Sequence, residues 1–150
     1  YGMGELVAVY EKAAYAIQKA EEISGVVISS RQSYIWEKGN RDLAYATQTE
    51  PFGNAEGKNS LQTCEAVMEA HHAKKVDLTG CSLDQILYVI NKGLPVIAMT
   101  DANHAILLTG YSMTDITYID PDTGSEHTVG MEQMSAMAAG SGNTFIGYLQ

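Results

Sequence analysis

After Lys92 the sequence holds no lysine and no arginine, while the same stretch carries Asp101, Asp115, Asp120, Asp122, Glu126 and Glu132. Over the whole chain 9 basic residues face 18 acidic ones, a formal net charge of -9. Nucleic-acid binding rests on Lys and Arg neutralising phosphates, so this balance disfavours a nucleic-acid partner. It disfavours an anionic membrane surface for the same reason, and a face built from the last third of the chain favours cationic or neutral ligands. Cysteine is scarce: Cys64 and Cys81 are the only two. That is too few for a disulfide scaffold in a chain of this length, and one bridge or two free thiols both stay open. No C-x-x-C pair exists to build a zinc site, and the neighbouring His71 and His72 point to different faces of a helix, a poor metal pair. No metal or other cofactor is expected. No apolar run approaches the ~20 residues of a membrane span, and no basic segment followed by an apolar one opens the chain as a secretion signal. The first residue is Tyr1 rather than Met, so the expectation is an excised piece of a longer protein.

What the chain does have is an ordinary globular balance, 45 % apolar and 18 % charged over 150 residues. That suffices for one domain, or one domain with a small appended unit, with a core that needs no metal or disulfide staple. Tyr1 to Val9 becomes apolar after two glycines and predicts a short strand. Glu11 to Ile23 predicts a helix, because Ala13, Ile17 and Ala20 share a face and Lys12, Lys19, Glu21 and Glu22 lie on others. Gly25 follows as a stop signal. The β-branched run to Ile28, the polar Ser29 to Ser33 and the aromatic Tyr34-Ile35-Trp36 predict a hairpin, closed by Gly39-Asn40. Residues 40–60 lack a period, and Pro51, Gly53, Asn54, Gly57 and Asn59 predict a loop or linker. The expected division is therefore an N-terminal β-α-β-β appendage over 1–50 and a main domain over 51–150.

In the main domain Ser60 to about His72 predicts a helix with Leu61, Cys64, Val67, Met68 and His71 on one face. A short strand is expected over Val76 to Leu78. Ser82-Leu-Asp-Gln85 reads as a capping box, opening a helix striped with Leu83, Ile86, Leu87 and Ile90 and ended by Gly93 and Pro95. Strands are expected at Pro95 to Met99, Ala105 to Thr109, Asp115 to Ile119, Glu126 to Val129 and Thr144 to Leu149. Pro121-Asp-Thr-Gly124 reads as a turn, and Met131 to Ala139 as a short helix. The fold class expected is α+β.

The order of three residues points to chemistry: a Cys near a helix start, a His opening a strand, an Asp ending the next strand. A helix N-terminus lowers a thiol pKa through its partial positive charge. An imidazole takes the thiol proton and returns it to the leaving group, and a third group holds the imidazole in the right tautomer. Cys64, His104 and Asp120 are the candidates for those roles. Each also has a bland reading: Cys64 on an apolar stripe as a buried core residue, His104 as a surface residue, Asp120 as a turn starter before Pro121. Cys81, just before a capping residue, reads as structural. Gly110 reads as a packing or bulge position, Trp36 as core, His127 as a rim residue.

The residues that frame this triad resemble a known family. Gly93-Leu-Pro-Val-Ile-Ala, His104-Ala-Ile-Leu-Leu-Thr-Gly110-Tyr111 and Ile119-Asp120-Pro121 are similar to the C-terminal half of papain-like cysteine peptidases, within the bacteriocin-processing, double-glycine leader peptidase branch. The resemblance covers about 60 residues from Gly93 onward, and another 30 more weakly. Residues 1–50 resemble a unit that accompanies such domains in proteins of Gram-positive gut anaerobes. It implies a papain-like core of helix plus antiparallel sheet, peptide-bond hydrolysis, and a peptide or protein substrate with Gly or another small residue at the cleaved bond. It also implies a place in a larger bacterial protein, outside the cell or on its surface. By the same match His104 and Asp120 carry over directly and Cys64 by order, while Gln62 and Asn59 are the oxyanion-hole candidates. The sequence departs from the family in Thr63-Cys64-Glu65, where a C-G-P-type turn is usual, in the 40 residues between Cys64 and His104, and in Gln62 lying only two residues before the Cys. Those departures support an alternative, a catalytically degenerate domain that binds peptide or cell-wall material. A structural module that dimerises through exposed strand edges is a third possibility.

Overall fold

The computed structural model describes residues 8–28, 34–72 and 74–149. Chain order runs α1 (Ala13–Ile23), β1 (Val26–Ile28), β2 (Tyr34–Glu37), β3 (Tyr45–Ala46), α2 (Ser60–Glu69), β4 (Lys74–Asp77), α3 (Leu83–Ile90), β5 (Val96–Asp101), β6 (His104–Tyr111), β7 (Asp115–Asp120), β8 (Ser125–Gly130), α4 (Met131–Gly140) and β9 (Phe145–Leu149). β1 and β2 form a two-stranded sheet, the predicted hairpin, whose Ser29 to Ser33 connection lies outside the described residues. The other strands make a seven-stranded sheet in the order β4-β9-β5-β6-β7-β8, with β3 added to β6. Every strand pair is antiparallel. The architecture is thus α+β with helices on an antiparallel sheet, as the patterning predicts. Among the described residues no helix is long and apolar enough to cross a membrane.

The two faces of the sheet follow from period-two alternation. Val96, Ala98, Ile106, Leu108, Ile116 and Phe145 join the larger core with residues of α1, α3 and α4. Ile97, Ala105, Leu107, Ile119 and Tyr148 join the smaller core with Cys64 and Met68 of α2. A strand covered on both faces has no solvent-facing row, and Ala105 to Tyr111 of β6 are all buried, Thr109 being the polar side chain among them. Ile106, Leu107 and Leu108, fully buried there, contribute about 1.5–3 kcal/mol each when removed from water. α2 and α3 start where their sequences say they should. Asn59 and Gln62, and Ser82 and Gln85, form reciprocal capping boxes that satisfy orphan N–H groups.

The segment before α2 packs on the larger core rather than standing off. Trp36 is buried, donates its indole N–H to Gln85 O at 2.9 Å and meets Tyr88 edge-on, with ring centroids 5.7 Å apart. Gln85 Nε2 in turn donates to Glu21 Oε1 of α1 at 2.9 Å. Inside the stretch expected as loop, Tyr45 and Ala46 pair with Tyr111 and Gly110. β3 takes the side of β6 that β5 has left, since β5 reaches only from Val96 opposite Leu108 onward. Two residues whose partners lie over sixty positions away carry no local strand signal. The strand expected at Tyr1 to Val9 lies outside the described residues, except that Ala8 and Val9 join no sheet.

Gly110 sits at the β6–β7 register shift, and a Cβ there would meet Tyr45 O at 2.7 Å and Ala46 Cα at 3.1 Å. Both are backbone atoms that cannot swing aside. At Gly147 the nearest atom is the tip of Leu78, Cδ1 at 2.7 Å, which can. Gly110→Ala is therefore expected to lose about 1–3 kcal/mol, and Gly147→Ala clearly less. Urea unfolding midpoints of the two variants against the parent check the order.

Candidate active site

β6 begins at His104 and β7 ends at Asp120, and with Leu107 opposite Ile119 these two ends lie side by side. His104 Nε2 stands 3.2 Å from Asp120 Oδ1. The expected base and its orienting group therefore meet. Asp120 is itself held: its Oδ1 accepts the Asp122 N–H at 2.9 Å, and its carbonyl accepts from Gly124 N–H at 2.9 Å. This is an Asx turn closed by Gly124 at φ 69°, a left-handed conformation that suits glycine. The same Pro121-Asp-Thr-Gly124 sequence that signals a turn thus also fixes the carboxylate.

Asp122 is a site residue that sequence reasoning missed. Its Oδ2 stands 3.1 Å from His104 Nδ1, so each ring nitrogen faces a carboxylate. A neutral imidazole has one N–H to give, and only the protonated ring donates to both. Asp122 is the more exposed of the two partners, 53 % against 18 % for Asp120. Its Oδ1 accepts from Asn54 Nδ2 at 2.5 Å, and Asn54 N–H donates to Pro121 O at 2.9 Å. The loop before α2 is thereby tied to the turn that carries both aspartates. The available signal was the D-x-D spacing, which a tight turn folds to one side. His104, Asp120 and Asp122 also bring one imidazole nitrogen and two carboxylate oxygens within 4.8 Å of one another, a nitrogen-and-oxygen set compatible with a divalent cation.

Cys64 is placed differently. It is the fifth residue of α2, past the first turn, fully buried and grouped with Met68, Ala105, Leu107 and Ile119. Ala105 and Leu107 alternate with His104 and Ile106 along β6, so the row that α2 covers is the row His104 is not in. Burial, and then the negative charges of Asp120, Glu65 and Asp122, push the Cys64 thiol up to about 12. A thiolate nucleophile needs the opposite shift. Among the described residues no hydrogen bond joins Cys64 to His104. The structure thus unites His104 with Asp120 and leaves Cys64 in the apolar layer beneath α2.

The oxyanion candidates Asn59 and Gln62 are both exposed, and their side-chain carbonyls are used in the capping box, accepting from Gln62 N–H at 2.8 Å and Asn59 N–H at 3.0 Å. Their NH2 groups, the donors an oxyanion needs, are not part of that box. Cys81 is buried and free, as is Cys64. Burial and the charge of Asp77 push its thiol up to about 12 as well. His127 stacks on Tyr118, with ring centroids 5.4 Å apart, and its Nε2 lies 2.8 Å from Thr123 Oγ1.

Comparison with known proteins adds little. No protein-family model matches the chain, and no curated protein matches it. Among solved structures, a chain described provisionally as a C39-like peptidase from Bacillus anthracis is similar at 21% sequence identity and a TM-score of 0.49, over 65% of this chain and 62% of that one. This chain thus spans under two thirds of that relative's length, and likeness at this level carries no argument about activity.

Two outcomes follow from the thiols. In the folded protein at pH 7 iodoacetamide is expected to leave Cys64 and Cys81 unmodified, and to label both in denaturant, as mass spectrometry reads directly. A thiol whose pKa is raised by folding stabilises the fold fully below its ordinary value of 9.0, and that contribution is lost as pH rises toward about 12. Urea midpoints are expected to fall over this alkaline window, and to fall less steeply in Cys64→Ala.

Proposed function

We propose that this chain is a peptidase-type domain that acts on peptide amide bonds, with His104 as general base and acid and Asp120 as the group that orients it. The observation that supports this reading is the contact between His104 Nε2 and Asp120 Oδ1 at adjoining ends of β6 and β7. Asp120 fixes the ring and leaves Nδ1 as the nitrogen that takes and returns a proton. In this structure Asp122 occupies Nδ1. Its carboxylate is half exposed and shared with Asn54, so a substrate that reaches Nδ1 competes with a group already partly in water, whereas Asp120 is largely shielded. In the Cys-His-Asp scheme the Cys64 thiol would attack the carbonyl, which requires the buried stripe of α2 to open. The acidic last third of the chain favours a neutral or cationic peptide, and a small residue such as Gly at the cleaved bond is part of the proposal.

A second reading has one observation in its favour: a thiol that is fully buried and pushed up to about 12 suits a site that holds a peptide without cutting it. Quenched fluorescent peptides, with and without a Gly-Gly step, separate the two. Hydrolysis by the parent that falls about 10²–10⁴-fold in His104→Ala, and falls also in Asp120→Ala, is the expected result. Hydrolysis indifferent to His104→Ala would overturn the proposal. Saturable peptide binding without product would establish the second reading in its place.

A further inference from the structure

A reacting group at such a site has three physical requirements. It belongs in the first turn of a helix, where the partial positive charge of the N-terminus acts on it. It belongs beside the strand end that carries the base. It also has to be polar and held, not packed into an apolar layer. Cys64 packs on Ala105 but fails the other two, since it lies past the first turn of α2 and inside an apolar layer. Ser60 meets all three.

Ser60 is the first residue of α2 after its Asn59 cap. It is only 4 % exposed, and its Oγ accepts the N–H of Ala105 at 2.9 Å. Ala105 is the residue directly after His104, so this hydroxyl lies where β6 leaves the His104–Asp120 pair. Thr63, the other buried hydroxyl of α2, is turned away from β6: it donates to Asn59 O at 2.8 Å and accepts from Ala55 N–H at 3.1 Å. Ser60 is thus the side chain of α2 that the fold sets against the base-bearing strand with a hydrogen bond. The loop just before it is the one that Asn54 ties to Asp122, the residue whose carboxylate faces His104 Nδ1.

We infer that Ser60, rather than Cys64, occupies the position of the reacting group beside the His104–Asp120 pair. The inference rests on the peptidase-type reading of the site and deepens it by naming the nucleophile's place. With the native hydroxyl, Ser60 Oγ forms the bond to the carbonyl carbon while its proton passes to His104. His104 returns that proton to the departing amine as the C–N bond breaks. Water then attacks the acyl-serine with the same base, releasing the acid and restoring the hydroxyl. A hydroxyl is a far weaker nucleophile than a thiolate, so the site as it stands is slow, and a thiol placed there is activated.

Ser60→Cys tests this with iodoacetamide and mass-spectrometric mapping on the whole folded chain. The introduced thiol is expected to be alkylated at pH 6.5 at least tenfold faster than a free thiol, and to slow at least tenfold when His104→Ala is added. The parent stays unlabelled. If Ser60 only ties α2 to β6, Ser60→Ala lowers stability but the introduced thiol shows no dependence on His104, which would overturn the inference. Labelling of Cys64 in the parent in a His104-dependent manner would overturn it too. Should Ser60→Cys not fold, as circular dichroism reads, a fluorophosphonate on the parent replaces it. Modification at Ser60 that disappears in His104→Ala supports the inference, and no modification there rejects it. Neither reagent needs a peptide. Labelling without peptide hydrolysis therefore rejects the substrate reading alone, and His104-dependent hydrolysis without reactivity at position 60 rejects this inference alone.

Discussion

β6 is covered on both faces, and that constraint organises the molecule. A strand with α2 on one side and α3 on the other has no solvent-facing row, and Ala105 to Tyr111 are all buried. Its backbone must also be paired on both edges, which β5, β7 and, past the end of β5, the two residues of β3 accomplish. Polar chemistry can then enter only at the strand's open end. His104 stands there, and β7 ends beside it at Asp120. The site is a consequence of where the buried strand stops.

That position also governs the electrostatics. Asp120 is fixed by its own turn and largely shielded, so its contact with His104 is ordered and little screened by solvent. Asp122 lies farther out and shares its carboxylate between His104 and Asn54. The inner carboxylate orients the ring and the outer one occupies the nitrogen through which the ring would work. The negative charge gathered around His104 has a second effect. It adds to burial in holding the Cys64 thiol protonated, so the carboxylates that serve the base work against a thiolate on the adjoining helix.

Much of this was legible in the sequence because it is local. The capping box at Ser82, the apolar stripe of α3 and the turn at Pro121 to Gly124 each announce an element within a few residues of itself, whereas Asn59 reads in sequence as a loop residue and an oxyanion candidate and turns out to cap α2. The pairing of His104 with Asp120 was legible through strand order, since a short connection forces β6 and β7 to be neighbours. Gly110 was marked as a bulge or packing position, and it is both. What was illegible depends on phase or on distance. Helix periodicity shows that Cys64 shares a stripe with Met68, but not whether that stripe faces a cleft or a core. β3 is specified by the unpaired flank of β6, not by its own residues. Ser60 is unremarkable in a one-dimensional reading and Asp122 shows only its D-x-D spacing; the approach of α2 and the turn to the head of β6 gives both their partners.

The account stands on His104 being oriented through Nε2 by Asp120, with Nδ1 as the working nitrogen. Long-range ¹H–¹⁵N correlation NMR on the ring reports which nitrogen keeps its proton when the imidazole is neutral. The shielded, turn-fixed Asp120 should win the proton-bearing nitrogen over the exposed Asp122, so the account predicts the Nε2–H form, changed by Asp120→Asn and retained in Asp122→Asn. A neutral ring protonated at Nδ1, insensitive to Asp120→Asn, would contradict it.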